Sequence, residues 1–149
     1  MVLGSDLLHD EVLELPLVVL ASLSPVFRAM MEAPMVETRE RMVTLPDVDS
    51  RAFEILLSVK MKDSRELPKP PPVNSVNTAL GLLNLCRKYL ISELRSEVAA
   101  LKYLRNNLRS ENVLYILQNL KLMNQTLPHH KSLVPMMDSL IKVYLILSD

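Results

Sequence analysis

Apolar residues along the chain fall into short blocks that change period at identifiable capping and breaking residues. Residues 1–14 carry no clear period, and Leu17 to Leu20 is an apolar run compatible with a buried strand or a helix. Ser24-Pro25 predicts a helix start, because serine caps and proline sits at the first helical position, where its missing N–H costs nothing. Phe27, Met30 and Met31 then share one face, and Glu32-Ala33-Pro34 ends the element. Met42-Val43-Thr44-Leu45 is short and β-branched and stops at Pro46-Asp47, the pattern of a strand. Asp49 is placed to cap a following helix. Val48 and Phe53 flank it with the spacing of a hydrophobic staple, and Ala52, Phe53, Leu56 and Leu57 form the apolar face.

Pro68, Pro70, Pro71 and Pro72 interrupt everything, since so many missing N–H groups leave neither helix nor sheet; a stiff, extended connector is expected. Three amphipathic helices follow. The first carries Ala79, Leu82, Leu83, Cys86 and Leu90, the second Leu94, Val98, Leu101, Leu104 and Leu108, and the third Val113, Ile116, Leu117 and Leu120. In the tail, Leu133, Met136, Met137, Leu140, Ile141, Tyr144 and Leu145 have helical spacing and could dock on this domain or on a partner. The predicted fold class is α+β and helix-rich, with a short sheet.

Composition narrows the function. At 149 residues the chain is long enough to bury a core, and 49% hydrophobic residues argue against disorder. Lysine plus arginine equals aspartate plus glutamate at 17 each, so no basic field draws in phosphate backbones and nucleic-acid binding is not expected. Two glycines leave little material for phosphate cradles. Cys86 is the single cysteine, so an intramolecular disulfide is excluded and a reducing compartment is the simpler assumption. The start carries Asp6, Asp10 and Glu11 instead of the basic residues of a secretory signal. The run Leu15 to Leu23 is shorter than the roughly 20 residues a bilayer needs, and Asp138 and Lys142 interrupt the apolar tail. A cytoplasmic, or alternatively nuclear, protein without membrane association is expected.

Three stretches, in order, carry a family resemblance. They are Leu20-Ala21-Ser22-Leu23-Ser24-Pro25-Val26-Phe27-Arg28-Ala29-Met30-Met31; Val43-Thr44-Leu45-Pro46-Asp47-Val48 with Ala52-Phe53-Glu54-Ile55-Leu56-Leu57; and Leu82-Leu83-Asn84-Leu85-Cys86-Arg87-Lys88-Tyr89-Leu90-Ile91 with Leu94, Tyr103-Leu104, Leu108 and Asn112. Together they resemble the BTB/POZ domain in its BTB-domain-containing and kelch-like style, over residues 18–108. Residues 109–128 resemble the start of a BACK domain, and 129–149 form an unassigned amphipathic tail. The chain departs from that pattern in several places. The helix and two strands expected before the Leu-Ala-Ser stretch are mostly missing, so the domain reads as truncated at its N-terminal edge. The family's His-Lys pair would fall near Pro16 and Leu17, the aromatic-rich strand after Leu57 is replaced by Ser58-Val59-Lys60-Met61-Lys62, and the prolines read as an insertion. The family's homodimer is built largely from its first helix, so homo- or heterodimerisation by that route loses its main element here.

The resemblance implies a protein-interaction module, not an enzyme. Members that recruit cullin-3 carry an apolar–any–glutamate motif before the central strand, which Met35-Val36-Glu37 fits. Met35 would supply a flexible apolar plug and Glu37 an acceptor for a backbone N–H or a cation. Tyr103 and Asn107 would belong to the companion surface, while Tyr89 reads as a core tyrosine. The implied function is that of a substrate adaptor in a cullin-3 ubiquitin-ligase complex. The alternative is a structural or transcription-associated oligomerisation module. Each feature has a plainer reading: Met35 to Glu37 as a polar loop, and Met30 and Met31 as core filling. No catalytic constellation, cofactor motif or metal site is expected: Cys86 lies on an apolar stripe, His129 and His130 point apart on any regular element, His9 is isolated, and Asp47 and Asp49 sit at a helix start.

Overall fold

The computed structural model describes residues 2–6, 9–12, 14–32, 44–45, 48–60, 73–91, 94–126 and 132–147. Its elements are β1 (Val2–Asp6), β2 (His9–Val12), α1 (Leu17–Leu23), α2 (Pro25–Glu32), β3 (Thr44–Leu45), α3 (Ser50–Lys60), α4 (Val76–Lys88), α5 (Leu94–Asn106), α6 (Val113–Thr126) and α7 (Val134–Leu147). The protein is thus helix-rich. The proline cluster lies outside the described residues.

Residues 1–14, which carry no clear period, hold two strands, so the expectation that most of a helix and two strands is missing ahead of the Leu-Ala-Ser stretch is corrected as to the strands. β1 and β2 pair antiparallel, Val2 opposite Val12, and β3 joins β1 in parallel, giving the order β2-β1-β3. Strands of five and four residues are too short to display a period, and a register shift between Gly4 and Asp6 breaks the alternation that would reveal them.

The ambiguous run at Leu17 resolves as helix. Val19 and Leu20 N–H both donate to the Pro16 carbonyl (3.0 and 3.2 Å), closing the first turn, and Leu20 and Leu23 are buried. Ser24 then ends α1 and caps α2: its Oγ accepts from the N–H of Val26 (3.1 Å) and Phe27 (3.3 Å). Asp49 caps α3 in the same way, with Oδ1 accepting from Ala52 N–H at 3.0 Å, and Val48 and Phe53 on either side are both buried. On α3, Ile55 and Val59 are buried besides Ala52, Phe53, Leu56 and Leu57, as befits a helix enclosed on most sides.

α4 starts at Ser75, whose Oγ accepts from Thr78 N–H (3.0 Å). It lies at the centre of the helical layer, packing on α3, α5 and α6, while β1 also touches α3 and α7 rests on α6. One hydrophobic cluster runs from Leu20 to Leu140 through all of these helices.

Three sequence assignments change. Leu90 is not on the buried stripe of α4; it is 48% exposed and left-handed, with φ 54°. Ile91 N–H donates to the Cys86 carbonyl (2.9 Å) and Leu90 N–H to that of Arg87 (3.4 Å), so the chain leaves the helix by a Schellman turn that puts leucine where glycine is usual. On α5, Val98 is 52% exposed, and among the described side chains the buried positions are Ser96, Ala100 and Leu104. These lie at successive fourth positions, which turns Val98 away from the core. Leu133 just ahead of α7, and Met136, Met137, Leu140 and Tyr144 on it, face the core, while Ile141 and Leu145 turn outward.

The Leu90 turn yields a measurable expectation. Leu90→Gly removes the Cβ conflict of the left-handed conformation and sacrifices little burial, so stability rises by about 1 kcal/mol. The urea midpoint should move up; an unchanged or lower midpoint would mean that the leucine side chain contributes more than its backbone costs.

Candidate functional site

The corner between α5 and α6 holds the sequence-predicted Tyr103 and Asn107. As α5 runs out, its last carbonyls need donors. Asn107 supplies two: its backbone N–H to the Tyr103 carbonyl (3.1 Å) and its Nδ2 to the same oxygen (2.8 Å). Asn112 then ties the corner together. Its Nδ2 donates to the Asn107 carbonyl (2.8 Å), and its Oδ1 accepts from Arg109 N–H (2.9 Å). Its own carbonyl accepts from Ile116 N–H (2.9 Å), which starts α6. The structure therefore brings Tyr103 and Asn107 together on one ordered corner. Both are half-buried, with Arg105, Asn106, Arg109, Ser110 and Glu111 exposed around them. Met35 and Glu37 lie outside the described residues.

A second knot joins the start of α2 to the end of α4. The Ser24 hydroxyl, besides capping α2, donates to the Tyr89 carbonyl. Phe27 stacks on the Tyr89 ring, with centroids 4.8 Å apart and planes at 28°. Tyr89 is buried, as its core reading expects, and Lys88 Nζ sits 5.6 Å from the ring centroid. Burial pushes the neighbouring Arg87 guanidinium below its ordinary range, and the negative charge of Glu97 on α5 opposes that shift. The arrangement fixes the α2 backbone relative to the late helices, and α2 leads into residues 33–43.

Sequence reasoning missed the Asn112 bracket and a contact between α5 and α7, where Arg105 Nη2 donates to Ser139 Oγ at 2.9 Å. That contact borders an open groove of about 500 Å³, also lined by Asp138 and Lys142. Asn112 was legible as an asparagine just ahead of an apolar helical stripe, the usual place of a cap. The Arg105 contact spans 34 residues of chain and leaves no local signal.

Among the described residues no group of three or more His, Cys, Asp and Glu side chains is placed to hold a metal ion. No described helix is long and apolar enough to cross a membrane. Cys86 is buried within the core. What the geometry offers is a surface: a braced corner with polar and cationic side chains around a tyrosine, on a helical layer closed over its own core. Such a surface suits recognition of another protein more than bond-making chemistry.

Comparison with known proteins agrees. No curated protein matches the chain. A family model, that of the BTB/POZ domain, matches residues 13–103, well over half of the chain, from just before α1 to Tyr103 on α5. Proteins of this family use the domain for protein–protein interaction and dimerisation. By that match the chain belongs to the BTB/POZ domain family, and its BTB domain is a non-enzymatic protein-interaction module.

Proposed function

We propose that the chain acts as a substrate-adaptor subunit of a cullin-3 ubiquitin-ligase complex, in the cytoplasm or nucleus. In this reading the Met35-Val36-Glu37 segment and the α5–α6 corner at Tyr103 and Asn107 together hold cullin-3. In the same reading the BTB unit spans residues 18–108, and residues 109–128 open a BACK-like helical segment. The observation that carries the reading is the corner itself. Asn107 and Asn112 spend their amides on fixing the backbone beside Tyr103. A surface fixed before binding loses little conformational entropy on docking, which favours affinity at modest contact area. Tyrosine is a frequent anchor of such contacts.

Binding of the purified chain to purified cullin-3 N-terminal region tests this directly. The parent should bind, and the double variant Met35→Ala, Glu37→Ala should bind at least about tenfold more weakly with an unchanged thermal transition. A cooperatively folded parent that does not bind, or a double variant that binds as well as the parent, would remove the adaptor assignment.

A further inference from the structure

α7 has two faces, and among the described residues the core packs against one. Leu133, Met136, Met137, Leu140 and Tyr144 pack against the cluster that includes α6. On the outward side Val134, Ile141 and Leu145 are 45%, 39% and 57% exposed, with Asp138 among them, also exposed. These four positions advance by four, three and four residues, the alternation of a heptad seam. At 100° per residue they form one narrow stripe, on the flank of the helix away from the packed side. The stripe lies beyond residues 13–103, the part of the chain that matches the BTB/POZ domain.

The order of the stripe selects what can cover it. Steps of four, three and four read the same in both directions. A second copy running antiparallel therefore meets the first in register: Val134 opposite Leu145, and Asp138 opposite Ile141. The two charges of α7 are Asp138 and Lys142, of opposite sign and one turn apart. In the antiparallel pairing Lys142 of the second copy, next to its Ile141, comes within reach of Asp138, and the two-fold axis makes this contact twice. A parallel pairing would instead set Asp138 against Asp138 in the centre of an apolar seam, which like-charge repulsion and desolvation both oppose.

We propose that α7 is a self-association helix: two copies of the chain pair their α7 helices antiparallel through Val134, Asp138, Ile141 and Leu145, each Asp138 meeting Lys142 of the other copy. The seam uses none of the residues proposed to hold cullin-3, and self-association is read without cullin-3, so either assignment stands if the other fails. Four layers make a short seam, and the affinity is correspondingly weak, on the order of 100 μM.

Sedimentation equilibrium of the full chain, from about 10 μM to about 1 mM, reads the dimer directly. Asp138→Lys and Lys142→Asp should each weaken it about tenfold, since each breaks two symmetric charge contacts and creates like-charge ones. The double swap D138K/K142D should restore the parent behaviour, which a general loss of folding cannot mimic. Leu145→Glu should leave monomer throughout. The assignment is overturned by a parent that stays monomeric at about 1 mM, by a dimer that tolerates Asp138→Lys and Leu145→Glu, or by a charge swap that fails to restore. A monomeric parent whose Leu145→Glu variant loses an unlike helical partner would overturn it too, and would reassign the face to that partner.

Discussion

Phe27→Ala should lower the free energy of unfolding by about 3–5 kcal/mol, the range for truncating a fully enclosed aromatic ring. Phe27 is completely buried, so the change removes its transfer energy and leaves a ring-sized void. It also removes the stacking partner of Tyr89. That ring holds the end of α4, whose carbonyl takes the Ser24 hydroxyl bond, and Ser24 caps α2. Loss at Phe27 is therefore felt by both helices, and the site cannot collapse by moving only one of them. A domain has about 5–15 kcal/mol in hand, so the variant sits near its unfolding threshold at ambient temperature. Urea denaturation checks this, with Val18→Ala as the control. Val18 is 79% exposed on α1, and its truncation should change stability by less than about 0.5 kcal/mol. A Phe27→Ala loss below about 1 kcal/mol would show that the α2–α4 knot is not part of the cooperative core.

The sequence revealed what short-range rules control. Ser24 and Asp49 are caps because a side-chain oxygen two or three residues ahead of a free N–H decides the helix start locally, and the Val48–Phe53 spacing follows from the same turn. Ala79, Leu82, Leu83 and Cys86 could be placed by period alone because α4 is central and that stripe faces neighbours. Val98 was misplaced for the opposite reason. Hydrophobicity marked it as core, yet the packed positions of α5 are Ser96 and Ala100, small side chains that allow close approach to other helices. Only the tertiary arrangement makes a serine more valuable there than a valine. Its hydroxyl is buried with no hydrogen-bond partner among the described residues, which carries a cost of its own. At the candidate site, Tyr103 and Asn107 were singled out through resemblance, while the role of Asn107 as a brace became visible only from bond geometry. Leu90 and the β1–β2 pair share a cause of failure: a left-handed leucine and a register shift both contradict the residue preferences on which period-reading relies.

The second large effect concerns Gly81, in the middle of α4, where glycine is a poor helix former. Propensity alone says that Gly81→Ala should stabilise by up to about 1 kcal/mol. Packing says otherwise. A Cβ there would lie 3.0 Å from Asp49 Cβ, closer than carbon atoms rest comfortably, and in ordinary contact with Ala52 Cβ at 3.6 Å. Asp49 cannot easily withdraw: its Oδ1 accepts from Ala52 N–H at 3.0 Å, and its carbonyl accepts from Phe53 N–H at 3.1 Å. Shifting it would undo the cap of α3 and disturb Phe53, which is completely buried. The alanine variant should therefore show none of the helix-propensity gain. Gly81→Val, which adds two methyl groups against the same wall, should lose about 3 kcal/mol. Coupling isolates the cause. In an Asp49→Gly background the opposing Cβ is gone while glycine still serves as a tolerable cap, so Gly81→Val should cost at least about 1 kcal/mol less than in the parent. If both substitutions at Gly81 stabilise, or if their cost does not depend on residue 49, the close approach of α3 to α4 at this point is not what holds the two central helices in register.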